Sequence, residues 1–392
     1  MSMIVAPLEA YHSVASDKND DSNSSFYYDA PQNILNAYIY NEIERQGRVM
    51  DEKINLRDLQ LPEMEGLLKS MGQPAFRAKQ IFQWIYKGVK SFDDMNNVPK
   101  ALREKLTENC YIGTLSLIEV QRSKTDGTRK YLFELEDGNT IESVFMKYKY
   151  GNSICVSSQA GCRMGCRFCA STRNGLERHL SPGEILSQLM EAEADTGEKI
   201  GHIVVMGTGE PFDNYDNLSA FIKIVNDKNG LNIGMRNITV STCGLADMID
   251  RFAVDFPQVN LAISLHGTTD EIRGAMMPVN KRYPLNILLE TCRAYTEKTG
   301  RRITFEYTLV SGINDSDGDA ERLCKILRGM LCHVNLIPLN KVAESGFDTV
   351  SRGRAGEFQK ILEQRGIPAT VRRELGADID AACGQLRLSK KL

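Results

Sequence analysis

Four cysteines lie close together in the middle of the chain, and their spacing is typical of metal chemistry. Cys162, Cys166 and Cys169 follow the pattern C-x3-C-x2-C, and Cys155 lies seven residues before them. The chain has ten cysteines, and its N-terminus lacks the basic-then-apolar plan of a secretory signal. In a reducing compartment such a cysteine content favours metal or thiol chemistry over a disulfide framework. We therefore expect a cytoplasmic protein with a metal-binding cysteine loop.

The spacing also distinguishes between kinds of metal centre. A structural zinc site takes four ligands, commonly in two C-x2-C pairs, whereas here three thiols lie together and no second pair follows. An iron–sulfur cluster held by three cysteinates leaves one iron open, which suits the binding of a small molecule. The pattern favours a [4Fe-4S] cluster on Cys162, Cys166 and Cys169, with zinc as the alternative.

The elements around this loop alternate between strand and helix from residue 152 onward. The candidate strands are 154–158, 202–206, 237–241, 259–264, 302–309 and 333–337. Most are β-branched or aliphatic runs, as expected of buried parallel strands. Ser181-Pro182-Gly183-Glu184 reads as a capping box with proline at the first helical position. Six such units predict an α/β fold with a partial (β/α)6 barrel, whose chemistry lies at the C-terminal ends of its strands.

Small and polar residues follow several of the candidate strands. Gly209 and Glu210 come after the second strand in GTGEP, where glycine lets the backbone approach a ligand closely. The third, fourth and sixth strands end at Ser241, at Ser264, Leu265 and His266, and at Asn340. Each residue alone is compatible with a turn or a helix cap. Together, at successive strand ends, they predict a ligand-binding site beside the cysteine loop.

The parts of the chain before the barrel differ in composition. Residues 1–49 have three basic and seven acidic residues, a net charge of -4, and we expect a disordered extension. The whole chain carries -3, so the remainder carries +1. Residues 50–105 predict a helical accessory domain, residues 106–150 a β-hairpin extension, and residues 151–392 the barrel with its C-terminal segment.

The accessory domain has a basic stretch that could contact nucleic acid. Residues 69–105 contain eight basic and three acidic residues, a local charge of +5. Such a patch is typical of a surface that meets phosphate groups. The alternative is a solvated helical face.

Cys383, near the end of the chain, is a candidate nucleophile. It lies in DIDAACGQL, where small neighbours leave it open to approach from several sides. The alternative is a small buried apolar residue, which is common for cysteine. The nearby Asp378 and Asp380 make a dry core position unfavourable.

These motifs together resemble one enzyme family. CVSSQ-x2-C-x3-C-x2-C, GTGEP, SLH, NLIPLN and DIDAACGQL are similar to the dual-specificity RNA adenine C2 methyltransferases of the RlmN family, in the radical S-adenosylmethionine (SAM) superfamily. The resemblance runs from about Lys53 to Leu386. The Cfr-type C8 methyltransferases share the barrel, the cluster loop and the cysteines that correspond to Cys155 and Cys383. The motif NLIPLN nevertheless favours the C2 branch. The chain departs from the family pattern at Thr208 of GTGEP and in residues 1–49.

The resemblance implies a role for each candidate residue. The cluster would lie on the three loop cysteines, and SAM would be bound by Gly209, Glu210, Ser241, Ser264, Leu265, His266 and Asn340. Cys383 would carry the methyl group as an S-methylcysteine intermediate. Cys155 would resolve the RNA adduct through a transient disulfide with Cys383. Glu142, thirteen residues before Cys155, would accept the proton from C2; without the resemblance it reads as a surface strand residue.

The resemblance also implies substrates and partners. The family methylates one adenosine of 23S rRNA near the peptidyl-transferase centre and the adenosine 3′ of certain tRNA anticodons, consuming two SAM molecules. A reducing partner such as flavodoxin or ferredoxin, a monomeric state and no membrane association are expected. Two alternatives stay open: a Cfr-like C8 methyltransferase, and a non-catalytic iron–sulfur RNA-binding protein. The second leaves Cys155 and Cys383 without a role.

Overall fold

A helical region opens the part of the chain that the structure describes. The computed structural model describes residues 53–340, 346–373, 375–381 and 384–386, so the predicted disordered extension lies outside the described residues. The first elements are strand β1 (Ile54–Asn55), helices α1 (Leu61–Ser70), α2 (Phe76–Tyr86) and α3 (Lys100–Asn109), and strand β2 (Cys110–Tyr111). β1 and β2 pair in parallel. Residues 78, 81, 82 and 85 form the buried face of α2, as their spacing predicts.

Three antiparallel strands come next. They are β3 (Ser116–Arg122), β4 (Arg129–Glu134) and β5 (Thr140–Tyr148), joined by turns where SKTDGT and EDGNT predict them. β5 also pairs antiparallel with β6 (Gly151–Val156), the first barrel strand. The hairpins are therefore a continuation of the barrel sheet.

The barrel is built from parallel strands joined by helices. After β6 a short hairpin of β7 (Gln159–Gly161) and β8 (Leu176–His179) encloses the cysteine loop. The later strands are β9 (His202–Val205), β10 (Ile238–Thr242), β11 (Asn260–Ser264), β12 (Ile303–Leu309), β13 (Cys332–Pro338) and β14 (Ala369–Val371). The longer helices between them are α4 (Pro182–Thr196), α5 (Tyr215–Asn226), α6 (Ala246–Asp255), α7 (Asp270–Met276), α8 (Leu285–Thr299), α9 (Asp317–Leu327) and α10 (Arg352–Gln364).

One ten-stranded sheet contains the parallel barrel strands and the antiparallel strands β3 to β5, in the order β14-β13-β12-β11-β10-β9-β6-β5-β4-β3. The six predicted strands correspond to β6 and β9 to β13, all parallel to their barrel neighbours. The predicted fold class is confirmed. The sequence prediction missed β14, a seventh parallel strand of only three residues.

Local sequence signals explain where α4 begins and ends. The Ser181 hydroxyl accepts a hydrogen bond from the Glu184 N–H, and the Glu184 carboxylate accepts one from the Ser181 N–H, so the predicted capping box forms. The helix ends at Gly197, whose φ of 67° lies in the left-handed region that glycine adopts at low cost.

The helical region packs directly on the barrel. Arg57 is buried, donates to the Ser187 hydroxyl at 2.8 Å, and lies 3.8 Å from the Glu191 carboxylate, both on α4. On α2, the Phe82 ring approaches the loop after α5 so closely that a Cβ at Gly230 would lie 3.1 Å from it. The core is therefore shared between the two parts. No helix in the described residues has the length and apolar character needed to cross a membrane.

The shared core leads to a prediction for two phenylalanines of α2. Phe82 is fully buried, whereas Phe76 is 60% exposed. Phe82→Ala should lower the free energy of unfolding by about 3–5 kcal/mol, because it leaves a cavity between α2 and the barrel. Phe76→Ala is the control and should change it by less than about 0.5 kcal/mol. Urea unfolding followed by circular dichroism measures both, and equal effects would contradict the shared core.

Candidate active site

One cleft at the C-terminal ends of the barrel strands collects most of the predicted site residues. It encloses about 960 Å³, including space open to solvent. The predicted residues that line it are Cys162, Cys166, Cys169, Gly209, Glu210, Ser241, Ser264, His266 and Asn340. Among the residues predicted to bind the cluster or SAM, Leu265 does not line the cleft, because its side chain is fully buried in the main core. Its backbone N–H donates to the Glu306 carbonyl at 3.0 Å.

Backbone geometry fixes the start of the cysteine loop. The Cys162 N–H donates to the Gly175 carbonyl at 2.8 Å, which closes the hairpin of β7 and β8. Gly161 has a φ of 76°, and a Cβ there would lie 2.1 Å from the Gly175 carbonyl oxygen. Only glycine fits this position, because any side chain would meet backbone that cannot move aside.

The cysteine loop offers three thiols from one short stretch of chain. Cys162 and Cys166 are buried, Cys169 is half-buried, and the Thr172 hydroxyl holds the loop at the carbonyls of Cys166 and Cys169. Three thiolates that leave one position open fit a [4Fe-4S] cluster.

Burial governs the protonation of these thiols. It raises the pKa of Cys162 to about 12, and it raises the pKa of Cys166 well above its ordinary value. Iron binds the thiolate form, so loading the loop with iron must release protons from these side chains.

Two glycines let the loop after β9 approach the end of β6. A Cβ at Gly207 would lie 2.7 Å from the Ser157 hydroxyl oxygen and 2.8 Å from the Ser157 backbone nitrogen. Gly209 has a φ of 113°, and a Cβ there would lie 2.7 Å from the Ser158 hydroxyl oxygen. The close approach therefore requires glycine at both positions, and the positive φ requires it again at Gly209.

The Glu210 carboxylate connects the ends of two strands. One oxygen accepts from the Phe212 N–H at 3.0 Å, and the other accepts from the Cys243 N–H at 2.7 Å, beyond β10. The Glu210 N–H donates to the Gln159 side chain at 2.8 Å. Burial raises the pKa of the carboxyl, and the two backbone donors oppose that shift. Glu210 thus fixes the loops that form this wall of the cleft.

His266 contributes a neutral ring in a fixed tautomer. Its Nδ1 accepts from the Thr308 N–H at 2.9 Å, which leaves the ring hydrogen on Nε2. Burial, assisted by the positive charge of Arg273, lowers the pKa of His266 to about 3. The ring lies edge-on to Phe168, with 4.9 Å between centroids. A ring with one fixed N–H donor therefore lines the cleft.

The sequence predictions missed several polar residues of the cleft, including Cys243, Glu306, Thr308 and Arg372. Glu306 is buried on β12 and accepts from the Asn335 amide at 2.8 Å. Burial raises the pKa of Glu306, and Arg372 opposes the shift. The sequence signal that could have revealed Glu306 is a glutamate within the otherwise largely apolar strand ITFEYTL. Arg372 follows β14, which the sequence did not reveal.

Cys155 and Glu142 face the same side of the sheet. Cys155 lies opposite Val144 in the β5–β6 pair, and Glu142 is two residues from Val144, so the three share a face. We call the described residues 375–381 and 384–386 the C-terminal segment. The apolar cluster around Cys155 contains Val144, Met146, Leu375, Ala381 and Leu386. The C-terminal segment therefore contributes side chains to the same apolar cluster as Cys155.

Glu142 lines a second cleft. This cleft encloses about 580 Å³ and is lined by Glu119, Gln121, Lys130, Leu132, Glu142, Asp380 and Gln385. The buried Glu142 carboxylate lies 3.5 Å from Lys130 Nζ, which also donates to the Asp380 carbonyl at 3.3 Å. Lys130 thus connects Glu142 to the C-terminal segment.

The C-terminal segment contacts both clefts. Gly384 lines the first cleft and Gln385 lines the second. The Ala170 N–H donates to the Gly384 carbonyl at 2.8 Å, and the Ser171 hydroxyl donates to the Leu386 carbonyl at 2.7 Å. The segment is therefore attached to the residues that directly follow the cysteine loop.

Cys383 itself lies outside the described residues. The predicted disulfide bond with Cys155 is not supported, because no disulfide links the cysteines that the structure describes. Its formation during turnover stays a prediction.

Comparison with known proteins identifies the family. A model of the ribosomal RNA large subunit methyltransferase N-terminal domain matches residues 54–112, and the radical SAM superfamily model matches residues 156–324. A probable dual-specificity RNA methyltransferase RlmN from Alkaliphilus oremlandii is 54% identical over 336 residues, covering 86% of this chain and 98% of the relative. One from Clostridium perfringens is 55% identical, covering 86% and 97%. The chain belongs to the RlmN family.

A solved structure supports the same assignment. A radical SAM methyltransferase from Sphaerobacter thermophilus is 45% identical, has a TM-score of 0.82, and covers 85% of this chain and 99% of its own. The RlmN-family fold and the enzyme class, a radical SAM RNA methyltransferase, are thus confirmed. Membership of the superfamily implies a [4Fe-4S] cluster and SAM as cofactors.

The glycines of the RlmN-family cleft allow a direct test with a matched control. Gly209→Ala introduces a collision and a strained φ, and a loop that moves to relieve them should weaken SAM binding about tenfold or more. Gly201→Ala, just before β9, is the control, because a Cβ there meets nothing within 4 Å. Calorimetric titration of the reconstituted proteins with SAM measures both affinities. Equal affinities would show that the approach of this loop is irrelevant to SAM.

Proposed function

We propose that this enzyme methylates C2 of an adenosine in 23S rRNA near the peptidyl-transferase centre and of the adenosine 3′ of certain tRNA anticodons. The relatives from Alkaliphilus oremlandii and Clostridium perfringens are described as probable dual-specificity RNA methyltransferases. The observation that best supports the proposal is the pair of contacts made by the C-terminal segment. Its described residues contact the end of the cysteine loop and also the apolar cluster around Cys155.

The first cleft is the proposed cofactor site. Cys162, Cys166 and Cys169 would hold one [4Fe-4S] cluster. SAM would contact the lining residues named above, while a contact from Leu265 stays a prediction that rests on the resemblance. When bound, the cluster and SAM supply a 5′-deoxyadenosyl radical. That chemistry is suited to C2 of adenine, an electron-poor amidine carbon that does not attack the SAM methyl group as a nucleophile.

Three residues of the chain would act on the methyl group and the RNA. Cys383, as a thiolate, takes a methyl group from the first of two SAM molecules. One hydrogen of this S-methyl group would pass to the 5′-deoxyadenosyl radical, its carbon would then join C2, and the unpaired electron of the adduct would return to the cluster. Glu142 accepts the proton that leaves C2. Cys155 then attacks the sulfur of Cys383; the bond between this sulfur and the added carbon breaks, the carbon keeps the electron pair and takes up a proton to become the methyl group, and a disulfide forms between the two cysteines. The shared face of Cys155 and Glu142 supports this division of roles.

The helical region would dock the RNA. We call its cations the basic surface: the lysines Lys69, Lys79, Lys87, Lys90, Lys100 and Lys105 are exposed, and Arg77 and Arg103 are half-buried. Phe76 is exposed, with the Arg77 guanidinium 4.7 Å above its ring, and Lys87 Nζ lies 4.9 Å from the Trp84 ring. Cations bind phosphate, and exposed rings stack on unpaired bases.

The remaining expectations complete the proposal. The protein would act in the cytoplasm as a monomer, and a flavodoxin or ferredoxin would supply electrons. The domain boundaries at residues 50, 106 and 151 also stay predictions.

Analysis of the methylated nucleosides tests the function itself. The anaerobically reconstituted enzyme is incubated with SAM, a reductant, and either an rRNA fragment or tRNA. Mass spectrometry should detect 2-methyladenosine with both RNAs. Finding 8-methyladenosine would instead assign the Cfr-like reaction. RNA binding without any methylation would assign a non-catalytic iron–sulfur protein.

Substitution of Cys383 and of Cys155 should stop the reaction at different steps. Cys383→Ala removes the methyl carrier, so we expect neither protein methylation nor an RNA adduct. Cys155→Ala keeps methyl loading and addition to adenine but lacks the resolving thiol. It should therefore accumulate protein cross-linked to RNA, seen as a nuclease-sensitive shift on a denaturing gel.

A third cysteine provides the control for this experiment. Cys292→Ala removes a buried core cysteine of α8, and it should give wild-type turnover per folded protein without an adduct. Full turnover by Cys155→Ala, or an adduct in the Cys155→Ala, Cys383→Ala double variant, would refute the assigned roles.

Docking through the basic surface is tested by charge reversal. Changing Lys79, Lys87 and Lys100 to Glu should weaken RNA binding at least tenfold and flatten its dependence on salt, because fewer counterions are released. Reductive SAM cleavage without RNA should persist.

The control reverses three exposed lysines on barrel helices, Lys298, Lys325 and Lys360, with the same change in net charge. Fluorescence anisotropy at several salt concentrations compares the two triple variants. Equal affinities and salt slopes would show that the basic surface is an ordinary solvated face with no role in RNA docking.

A further inference from the structure

A fully buried cation lies beside the cysteine loop. Arg273 on α7 has no exposed surface, and none of the described acidic side chains forms an ion pair with it. Its guanidinium donates to the Cys243 carbonyl at 2.7 Å and to the Asn280 side-chain oxygen at 2.8 Å. Its Nε has no hydrogen-bond partner among the described residues. A positive charge is thus held by neutral acceptors, next to a residue that lines the first cleft.

Two glycines at strand ends make room for this arginine. A Cβ at Gly267, after β11, would lie 2.6 Å from the Arg273 backbone nitrogen. A Cβ at Gly244, after β10, would lie 3.1 Å from the guanidinium. Because both glycines directly follow cleft residues, Cys243 and His266, the cation lies immediately behind the wall of the cleft.

The charge of Arg273 reaches the groups in that wall. It contributes to the low pKa of His266, second to burial. Burial lowers the pKa of Arg273 itself, while negative charge on Cys243 and Cys166 opposes the shift. Geometry also connects the cation to the cluster site, because Cys243, whose carbonyl accepts from Arg273, belongs to the same apolar cluster as Cys166, one of the proposed cluster ligands.

Another buried arginine shows what is unusual here. Arg57 is equally buried, but it lies 3.8 Å from the Glu191 carboxylate, which balances its charge. A buried charge without such a partner costs several kcal/mol. The carboxylate that acts on Arg273 belongs to Asp270, an exposed residue that binds the Asn280 amide and the Leu285 N–H. The balancing charge expected for Arg273 is therefore an anionic group in the cleft.

We propose that Arg273 is the buried counter-charge of the iron–sulfur cluster and raises its reduction potential. This inference rests on the proposed assignment of the cluster to Cys162, Cys166 and Cys169. One electron, delivered by a one-electron reductant, makes the cluster more negative by one charge. A fixed cation nearby stabilises the reduced form more than the oxidised form. Arg273 is a positioning residue, since it acts through its field and lies behind the wall.

The test measures the midpoint potential of the reconstituted cluster by redox titration with electron paramagnetic resonance detection. Arg273→Gln removes the charge and keeps a hydrogen-bond donor. At the wild-type midpoint potential, its ratio of reduced to oxidised cluster should fall about tenfold, a shift of about 59 mV for one electron. Arg273→Lys keeps the charge and should shift the ratio by less than about threefold. Arg57→Gln removes the other buried arginine and should leave the potential unchanged.

Several results would overturn the proposal. One is an unchanged potential in Arg273→Gln, and another is an equal shift in the Gln and Lys variants, which would assign the effect to hydrogen bonding. If Arg273→Gln retains no cluster, Asp270→Asn decides, because loss of this carboxylate must raise the potential. An unchanged or lower value there rejects the counter-charge. Failure of the wild-type protein to bind about four irons would instead refute the cluster assignment itself.

Discussion

The parallel pairing of β6 with β9 is the constraint on which the site depends. It sets Cys155 beside Val204 and Val156 beside Val205, so that both strands end at the same level. The hairpin with the cysteine loop follows β6, and the loop with Gly207 and Gly209 follows β9 at the same edge of the sheet. Gly207 and Gly209 turn that proximity into contact, because no side chain separates their backbone from the end of β6. The Glu210 carboxylate then extends the same wall to β10.

The C-terminal segment joins parts of the sheet that the barrel alone would leave apart. It is attached to the cysteine loop at Ala170 and Ser171, and its apolar side chains cover Cys155. Lys130 adds a polar contact between Glu142 and the same segment. The hairpins before the barrel are therefore part of the site, because they continue its sheet and contribute the face that carries Glu142.

Buried charges in this chain follow two patterns. Arg57, Glu142 and Lys130 each have a partner of opposite charge within 4 Å, which offsets the cost of removing them from water. Arg273 has only neutral hydrogen-bond partners among the described side chains and backbone groups. The first pattern stabilises the packing between elements. The second pattern leaves a positive charge that is not balanced by a neighbouring carboxylate, and this charge acts on the groups of the adjacent first cleft.

Much of the fold was predictable because its signals are local. Most of the six predicted barrel strands are β-branched or aliphatic runs, and the Ser181 capping box lies within four consecutive residues. β14 escaped prediction because a three-residue strand carries too little pattern, and only pairing with β13 makes it a strand. The spacing of the cysteine loop and the small residues at strand ends likewise belong to short stretches of sequence.

The sequence by itself determined the barrel, the cysteine loop and the small and polar residues at the strand ends of the first cleft, since each depends on neighbours along the chain. Only the tertiary structure decided which distant residues meet. It brought Glu306 and Arg372 into the cleft, turned the Leu265 side chain away from it, and set Arg273 behind Cys243 without a carboxylate. Such contacts depend on strand register and on which face of the sheet a side chain occupies. Those properties arise only when elements far apart in the chain pack together.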